Sequence, residues 1–176
     1  ELHGGANIQV MKMLLEIGDP NKAEEWVEDK LDRGGRVMGM GHAVYKTTDP
    51  RAEVLSSLSR ILSRETGTKW FEITERVEKA TKKYMLEHHK QPIYPNVDLY
   101  SASLYYSMGI PMDLNTPIFA ISRISGWCSH VIEEKFAEAA PKPALYRPKA
   151  LYVGRYCGPM GCEYIPIDNR VKEIDA

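Results

Sequence analysis

Two histidines, one aspartate and three arginines set the chemistry that this chain of 176 residues could perform. His42 closes the stretch Gly39-Met40-Gly41-His42, and Arg51 follows nine positions later behind Asp49-Pro50. Glycine accepts backbone conformations and close approaches closed to other residues, so a ligand could lie against this backbone with His42 and Arg51 aimed at it. His3 stands immediately before Gly4-Gly5 and a helix-forming run. The positive end of a helix disfavours a protonated imidazole there, and a neutral imidazole can donate a hydrogen bond to a carbonyl. The alternative is a histidine that only packs or caps. Asp98 falls just after Pro95-Asn96-Val97, where a carboxylate either complements a helix dipole or serves as a general base. Arg123 stands in an otherwise apolar helical run, residues 118–132, where a buried guanidinium needs a carboxylate partner or an anionic ligand. With Arg51 and Arg147 it could grip a di- or tricarboxylate, because guanidinium binds carboxylate in bidentate fashion. A structural ion pair is the alternative for each arginine taken singly.

Helical periodicity must position these groups. Ile8, Met11, Leu14 and Leu15 share one face of a first helix, which Gly18-Asp19-Pro20 ends. A charged helix over 22–31 turns Trp26, Val27 and Leu31 inward and stops at Gly34-Gly35. The His42 loop follows. Asp49 is then an N-cap with Pro50 at the first helical position, and Val54, Leu58, Ile61 and Leu62 are the expected buried stripe of the third helix. Trp70, Ile73, Val77, Ala80 and Tyr84 mark a long fourth helix. Pro92 and Pro95 break the chain before a fifth over 96–108, and Gly109-Ile110-Pro111 ends it. Pro117 suits the first turn of a sixth, with Ala120, Ile124, Trp127 and Val131 on one side. Beyond Pro141-Lys142-Pro143 the texture changes to short extended pieces near 151–153 and 164–167. The reading is an all-α protein with an irregular tail.

Composition excludes several classes. With 23 Lys+Arg against 24 Asp+Glu, net charge is -1, which argues against nucleic-acid or membrane-surface binding carried by bulk charge. No apolar run approaches the roughly 20 residues needed to span a bilayer. The opening residues lack the basic and apolar regions of a signal peptide. Three cysteines, Cys128, Cys157 and Cys162, form no disulfide framework and suit a reducing compartment, so a cytoplasmic protein is expected. Cys157 and Cys162 lack the further ligands of a zinc site and read as free thiols. His88 and His89 are adjacent and do not share a helical face, so they read as a solvated pair. His130 reads as a packed histidine. No metal site, P-loop or dinucleotide fingerprint is expected.

Five stretches taken together resemble the C-terminal part of citrate synthase, closest to the short bacterial and archaeal type. They are Leu2-His3-Gly4-Gly5-Ala6-Asn7, Gly39-Met40-Gly41-His42 through Asp49-Pro50-Arg51, Tyr94-Pro95-Asn96-Val97-Asp98, Ser122-Arg123 and Arg147-Pro148. Glu1 departs from the family's usual proline, and Ala43 from the arginine of many short-type members. The resemblance implies the citrate synthase fold. Residues 1–4 would end a large-domain segment, 5–110 would form the small helical domain, and 111–176 would return to the large domain. The family's N-terminal half would lie outside this chain. The implied activity is that of a citrate (Si)-synthase-type acyltransferase of the tricarboxylic acid cycle. It condenses acetyl-CoA with oxaloacetate to citrate and CoA, with no metal or redox cofactor, in a homodimeric full-length parent. By resemblance Asp98 would take a proton from the acetyl methyl group, His3 would hydrogen-bond the thioester oxygen, and His42 would polarise the oxaloacetate carbonyl. Arg51 and Arg123 would hold oxaloacetate carboxylates, with Arg147 doing so in the neighbouring subunit. Val37, Met38, Gly39, Met40 and Gly41 would face CoA through their backbone, and Lys46 would approach a CoA phosphate. Two alternatives stand beside this reading: a 2-methylcitrate synthase using propionyl-CoA, and an inactive CoA-binding module if the chain is complete as given.

Overall fold

In the computed structural model, which describes residues 5–136, the chain folds into six α-helices joined by short loops and two 3₁₀ turns. These are α1 (Ala6–Ile17), α2 (Ala23–Asp32), α3 (Pro50–Thr66), α4 (Trp70–His89), α5 (Val97–Ser107) and α6 (Asn115–Phe136), with 3₁₀ turns at Pro20–Lys22 and Met112–Leu114. The all-α expectation holds across these residues. The extended pieces expected near 151–153 and 164–167 lie outside them, as do His3, Arg147, Cys157 and Cys162.

Local chemistry explains the helix ends. Gly18 and Gly67 close α1 and α3 in the left-handed conformation, at φ 64° and 66°, that side chains with a Cβ resist. Asp49 caps α3 by accepting from the Arg51 amide at 3.0 Å, and Pro50 fills the first helical position, where a missing N–H costs nothing. Asn96 caps α5 by accepting from the Asp98 amide at 2.9 Å, so it stands just outside the helix rather than at its first residue.

α5 is the axis of the fold, with α1, α3 and α4 packed around it and α2 laid on α4. Leu99, Met11, Leu14, Ile73, Val27 and Val77 are fully buried. Each such side chain contributes about 1.5–3 kcal/mol relative to exposure. Two expected faces are corrected. In α1, Leu15 is exposed while Val10, Met13 and Ile17 join Met11 and Leu14 in the core. In α3, Val54, Leu58 and Ile61 face outward, and Ala52, Ser59 and Ser63 are buried. The physical reason is close helix packing. Small side chains on α3 let it approach α5 closely, and the Ser59 and Ser103 hydroxyls share a hydrogen bond at 3.0 Å. Bulky aliphatic residues would hold the two helices apart.

A polar cluster crosses the base of the bundle. Asn7 on α1, Ser101 on α5 and Asn115 on α6 are each at most 2% exposed and bond to one another. Among the described residues Asn115 Oδ1 has no hydrogen-bond partner. A buried unsatisfied polar atom costs about 1–3 kcal/mol.

α6 differs from the other helices. Ile121, Ile124, Trp127, Val131, Ile132 and Phe136 are all at least half exposed, at 50–77%. Ile118 and Phe119, nearer the start of the helix, are half-buried.

Candidate active site

His42, Arg51, Asp98 and Arg123 line one cleft of about 460 Å³, together with Ala6, Asn96, Phe119 and Trp127. Four residues from three parts of the sequence therefore meet around one space, and local backbone chemistry explains how each arrives there.

The loop before α3 is pinned to the segment before α5. Met40 and Pro95 form an isolated antiparallel bridge. The Gly41 amide donates to the Tyr94 carbonyl at 2.7 Å, the Asn96 amide to the Gly39 carbonyl at 2.9 Å, and the Asn96 side chain to the Gly41 carbonyl at 2.9 Å. Asn96 thus fixes the loop with one part of its amide and caps α5 with the other. His42 and Asp98, each close in sequence to this clasp, are set relative to one another by it.

Gly39 has φ 83°, and a Cβ built there would lie 2.9 Å from the Leu99 Cα. The close approach that requires glycine is therefore to helix α5. On the other side, Val37, Met38, Gly39 and Met40 line a second cleft of about 450 Å³ with Ala6, Gly35, Arg36, Met85 and Ile93. Gly41, His42 and Lys46 border a third of about 300 Å³ beside Tyr45 and Tyr94. The residues read as CoA-facing therefore divide between two adjacent clefts, with Gly41 and Lys46 on the His42 side.

The state of His42 follows from its neighbours. Its Nδ1 accepts from the Val44 amide at 3.0 Å and the Tyr45 amide at 3.1 Å. An N–H donor aimed at Nδ1 leaves no place for a proton on that atom, so the neutral ring carries its proton on Nε2. The Tyr45 ring lies 4.6 Å from the imidazole, centroid to centroid, and steadies it. His42 is thereby built as a hydrogen-bond donor through Nε2.

Arg51 is held by Asp49, which the sequence marked only as a cap. Its Nε donates to Asp49 Oδ1 at 3.0 Å and its Nη2 to Oδ2 at 2.7 Å, a bidentate pair. The Asp49 side chain is fully buried while the Arg51 side chain is 45% exposed, so the carboxylate anchors the guanidinium at the edge of the cleft. Burial pushes the Asp49 carboxyl up, but the Arg51 hydrogen bonds and charge outweigh it and leave the group below its ordinary value. The hydrogen bond to Asp49 raises Arg51 correspondingly, against the effect of burial. The signal in the sequence was Asp-Pro-Arg itself, since a cap two residues before an arginine can also reach its head group.

Asp98, on the first turn of α5, behaves differently. Burial raises its carboxyl above the ordinary value, and the nearby Arg51 and Arg123 charges only partly oppose this. Arg123 is exposed on α6, with its guanidinium 5.2 Å over the Phe119 ring. The premise that it is buried in an apolar helix is corrected: this turn of α6 faces the cleft, and the charge stays in water. No carboxylate lies within ion-pairing distance of Arg123 among the described residues. His130 is likewise exposed, 3.1 Å from Glu133, rather than packed. His88 stacks on Tyr84 at the end of α4, remote in sequence from these residues. Among the described residues no cluster of His, Cys, Asp or Glu has a metal-binding arrangement, and no helix is long and apolar enough to cross a membrane.

The arrangement can hold an anion between two guanidinium groups, offer an imidazole N–H donor, and place a carboxylate beside both. Comparison with known proteins identifies the family of the chain. The model of the citrate synthase C-terminal domain matches residues 1–149. The citrate synthase of Haloferax volcanii is 46% identical over 96% of this chain and 41% of its own length. The 2-methylcitrate synthase 1 of Corynebacterium glutamicum is 38% identical over 87% of this chain and 38% of its own. Among solved structures, the citrate synthase of Thermoplasma acidophilum, in ternary complex with carboxymethyl coenzyme A and oxaloacetate, superposes with a TM-score of 0.68. That structure is 37% identical and covers 96% of this chain and 43% of its own. The chain belongs to the citrate synthase family. It spans about two fifths of the length of the curated relatives it matches.

Proposed function

We propose that this chain is the C-terminal part of an enzyme that condenses acetyl-CoA with oxaloacetate to citrate and free CoA. The observation that carries the reading is the convergence of His42, Asp98, Arg51 and Arg123 on one cleft. Oxaloacetate is a dicarboxylate, and the two guanidinium groups suit its carboxylates. Its ketone oxygen would receive the Nε2 proton of His42 as a hydrogen bond. Asp98 would take a proton from the acetyl methyl group, and the electron pair of that C–H bond would attack the ketone carbon. Water would then cleave the resulting thioester and release CoA.

A methyl group beside a thioester is a weak acid, so the enolate oxygen needs a donor, and removal of one such donor typically costs about 10²–10³ in rate. His3 is the proposed donor, from its place in the sequence motif. Arg147 is proposed as a carboxylate ligand in the neighbouring subunit of a homodimer. Val37 to Gly41 and Lys46 are proposed to lie along CoA, and the reaction asks for no metal or redox cofactor. Residues 5–110 would be the small domain and 111–176 the return to the large one.

The relative named 2-methylcitrate synthase supports a second reading in which propionyl-CoA replaces acetyl-CoA. The test is thiol release by a protein of full family length carrying these residues, with oxaloacetate and each acyl-CoA in turn. A higher kcat/KM with acetyl-CoA supports the first reading and a higher value with propionyl-CoA the second. Release with neither refutes both. The isolated chain is expected to show little turnover, because its relatives are more than twice as long, and ordinary enzyme rates from it would refute that.

A further inference from the structure

The buried polar cluster at the base of the bundle is placed where an apolar contact would pack without unsatisfied groups, which calls for a reason. Asn7 is at the start of α1, Ser101 on α5 three residues after Asp98, and Asn115 at the start of α6, the helix that carries Arg123. Ser101 Oγ donates to the Asp98 carbonyl at 3.4 Å, so it can only accept from Asn7, whose Nδ2 lies 2.5 Å away. This fixes the Asn7 amide with Oδ1 pointing the other way, where it accepts from Asn115 Nδ2. Donor and acceptor roles are thus assigned along the whole chain, and no member can rotate without breaking a bond to another helix. Ala6 and Thr116, the neighbours of Asn7 and Asn115, both line the cleft.

We propose that Asn7 is a positioning residue for the condensation. Its amide sets the relative placement of α5, which carries Asp98, and of α6, which carries Arg123, while touching neither substrate. Apolar packing fixes helices only to within the slack of their side chains, whereas a hydrogen bond fails within a few tenths of an ångström. This inference rests on the proposed activity. Misplacement of reacting groups by about 1 Å can cost on the order of 10² in rate, and the loss should fall on kcat because proton abstraction needs stricter alignment than carboxylate binding.

The test uses the protein of full family length, as the unmodified chain, Asn7→Ala and Ser101→Ala. Steady-state rates are measured with acetyl-CoA and oxaloacetate, alongside thermal melting. Ser101→Ala removes a single hydroxyl and carries the test if Asn7→Ala does not fold. The expected result is kcat lowered about tenfold or more, with the oxaloacetate KM within about twofold and a native melting transition. Unchanged kcat in a folded variant, or a loss that merely follows the unfolded fraction, would overturn the positioning role. Absence of turnover in the unmodified protein would instead refute the reading of the site, and this inference with it.

Discussion

Replacing Asp49 by Asn tests how the cleft would hold the proposed oxaloacetate. The substitution keeps Oδ1, which accepts from the Arg51 amide and from Nε, both at 3.0 Å. It turns Oδ2 into an amino group facing Arg51 Nη2, so two donors meet where a 2.7 Å bond stood. Hydrogen bonds to charged groups contribute about 1.5–3 kcal/mol. Arg51 is 45% exposed, so water screens much of this, and about 1–1.5 kcal/mol is the appropriate figure. That predicts an oxaloacetate KM raised about tenfold in the full-length protein, with a smaller change in kcat. Asn caps a helix about as well as Asp, so α3 should stay formed near neutral pH. The Asp49 carboxyl lies below its ordinary value in the fold, so its contribution to stability is present above the unfolded pKa and lost as pH falls through the folded one. The variant should therefore lose part of that acid dependence. The assay is initial-rate thiol release against oxaloacetate concentration, with melting curves from neutral to acid pH. A KM within about twofold of the parent would refute the claim that Asp49 orients Arg51.

Three further outcomes follow from the same geometry. Gly39→Ala places a methyl 2.9 Å from the Leu99 backbone at φ 83°, and should cost about 1–3 kcal/mol in denaturant unfolding; an unchanged midpoint would contradict the clasp between this loop and α5. Asp98 must be ionised to act as a base, and burial raises its carboxyl, so the acid limb of kcat/KM should lie above the ordinary aspartate value. Removing a charge that favours ionisation, as in Arg123→Gln, should move that limb to higher pH, and a shift the other way would refute the assignment. Because its folded pKa is raised, Asp98 weakens the fold as pH rises through the window between the unfolded and folded values. Asp98→Asn should therefore melt higher at neutral pH than the parent, a difference that vanishes in acid, and an equal melting temperature at neutral pH would contradict the burial cost.

The sequence disclosed the helix order because its punctuation is backbone chemistry: Gly18, Pro50 and Pro95 stand where helices start or stop. It pointed to His42, Arg51, Asp98 and Arg123, which line one cleft, because glycines, histidine and arginine recur in a family pattern. It misassigned the inner face of α3, since counting hydrophobic residues favours Val54, Leu58 and Ile61, while close packing against α5 selects Ala52, Ser59 and Ser63. Ser59 and Ser63 one turn apart, with Ser101 and Ser103 on α5, were the available signal. The anchoring of Arg51 by Asp49 was hidden behind the residue's capping role, and the His42 tautomer depends on two amide directions that no spacing reveals. Arg123 was read as buried because its helix is apolar, yet α6 leaves much of its apolar surface exposed.

The central claim is that Asp98 takes the proton while other groups hold oxaloacetate. It is tested most directly by Asp98→Ala in the protein of full family length, with thiol release and oxaloacetate binding measured on the same preparation. The account predicts turnover lowered by about 10²–10⁴ or more, with oxaloacetate still bound. Turnover near the parent rate would contradict it.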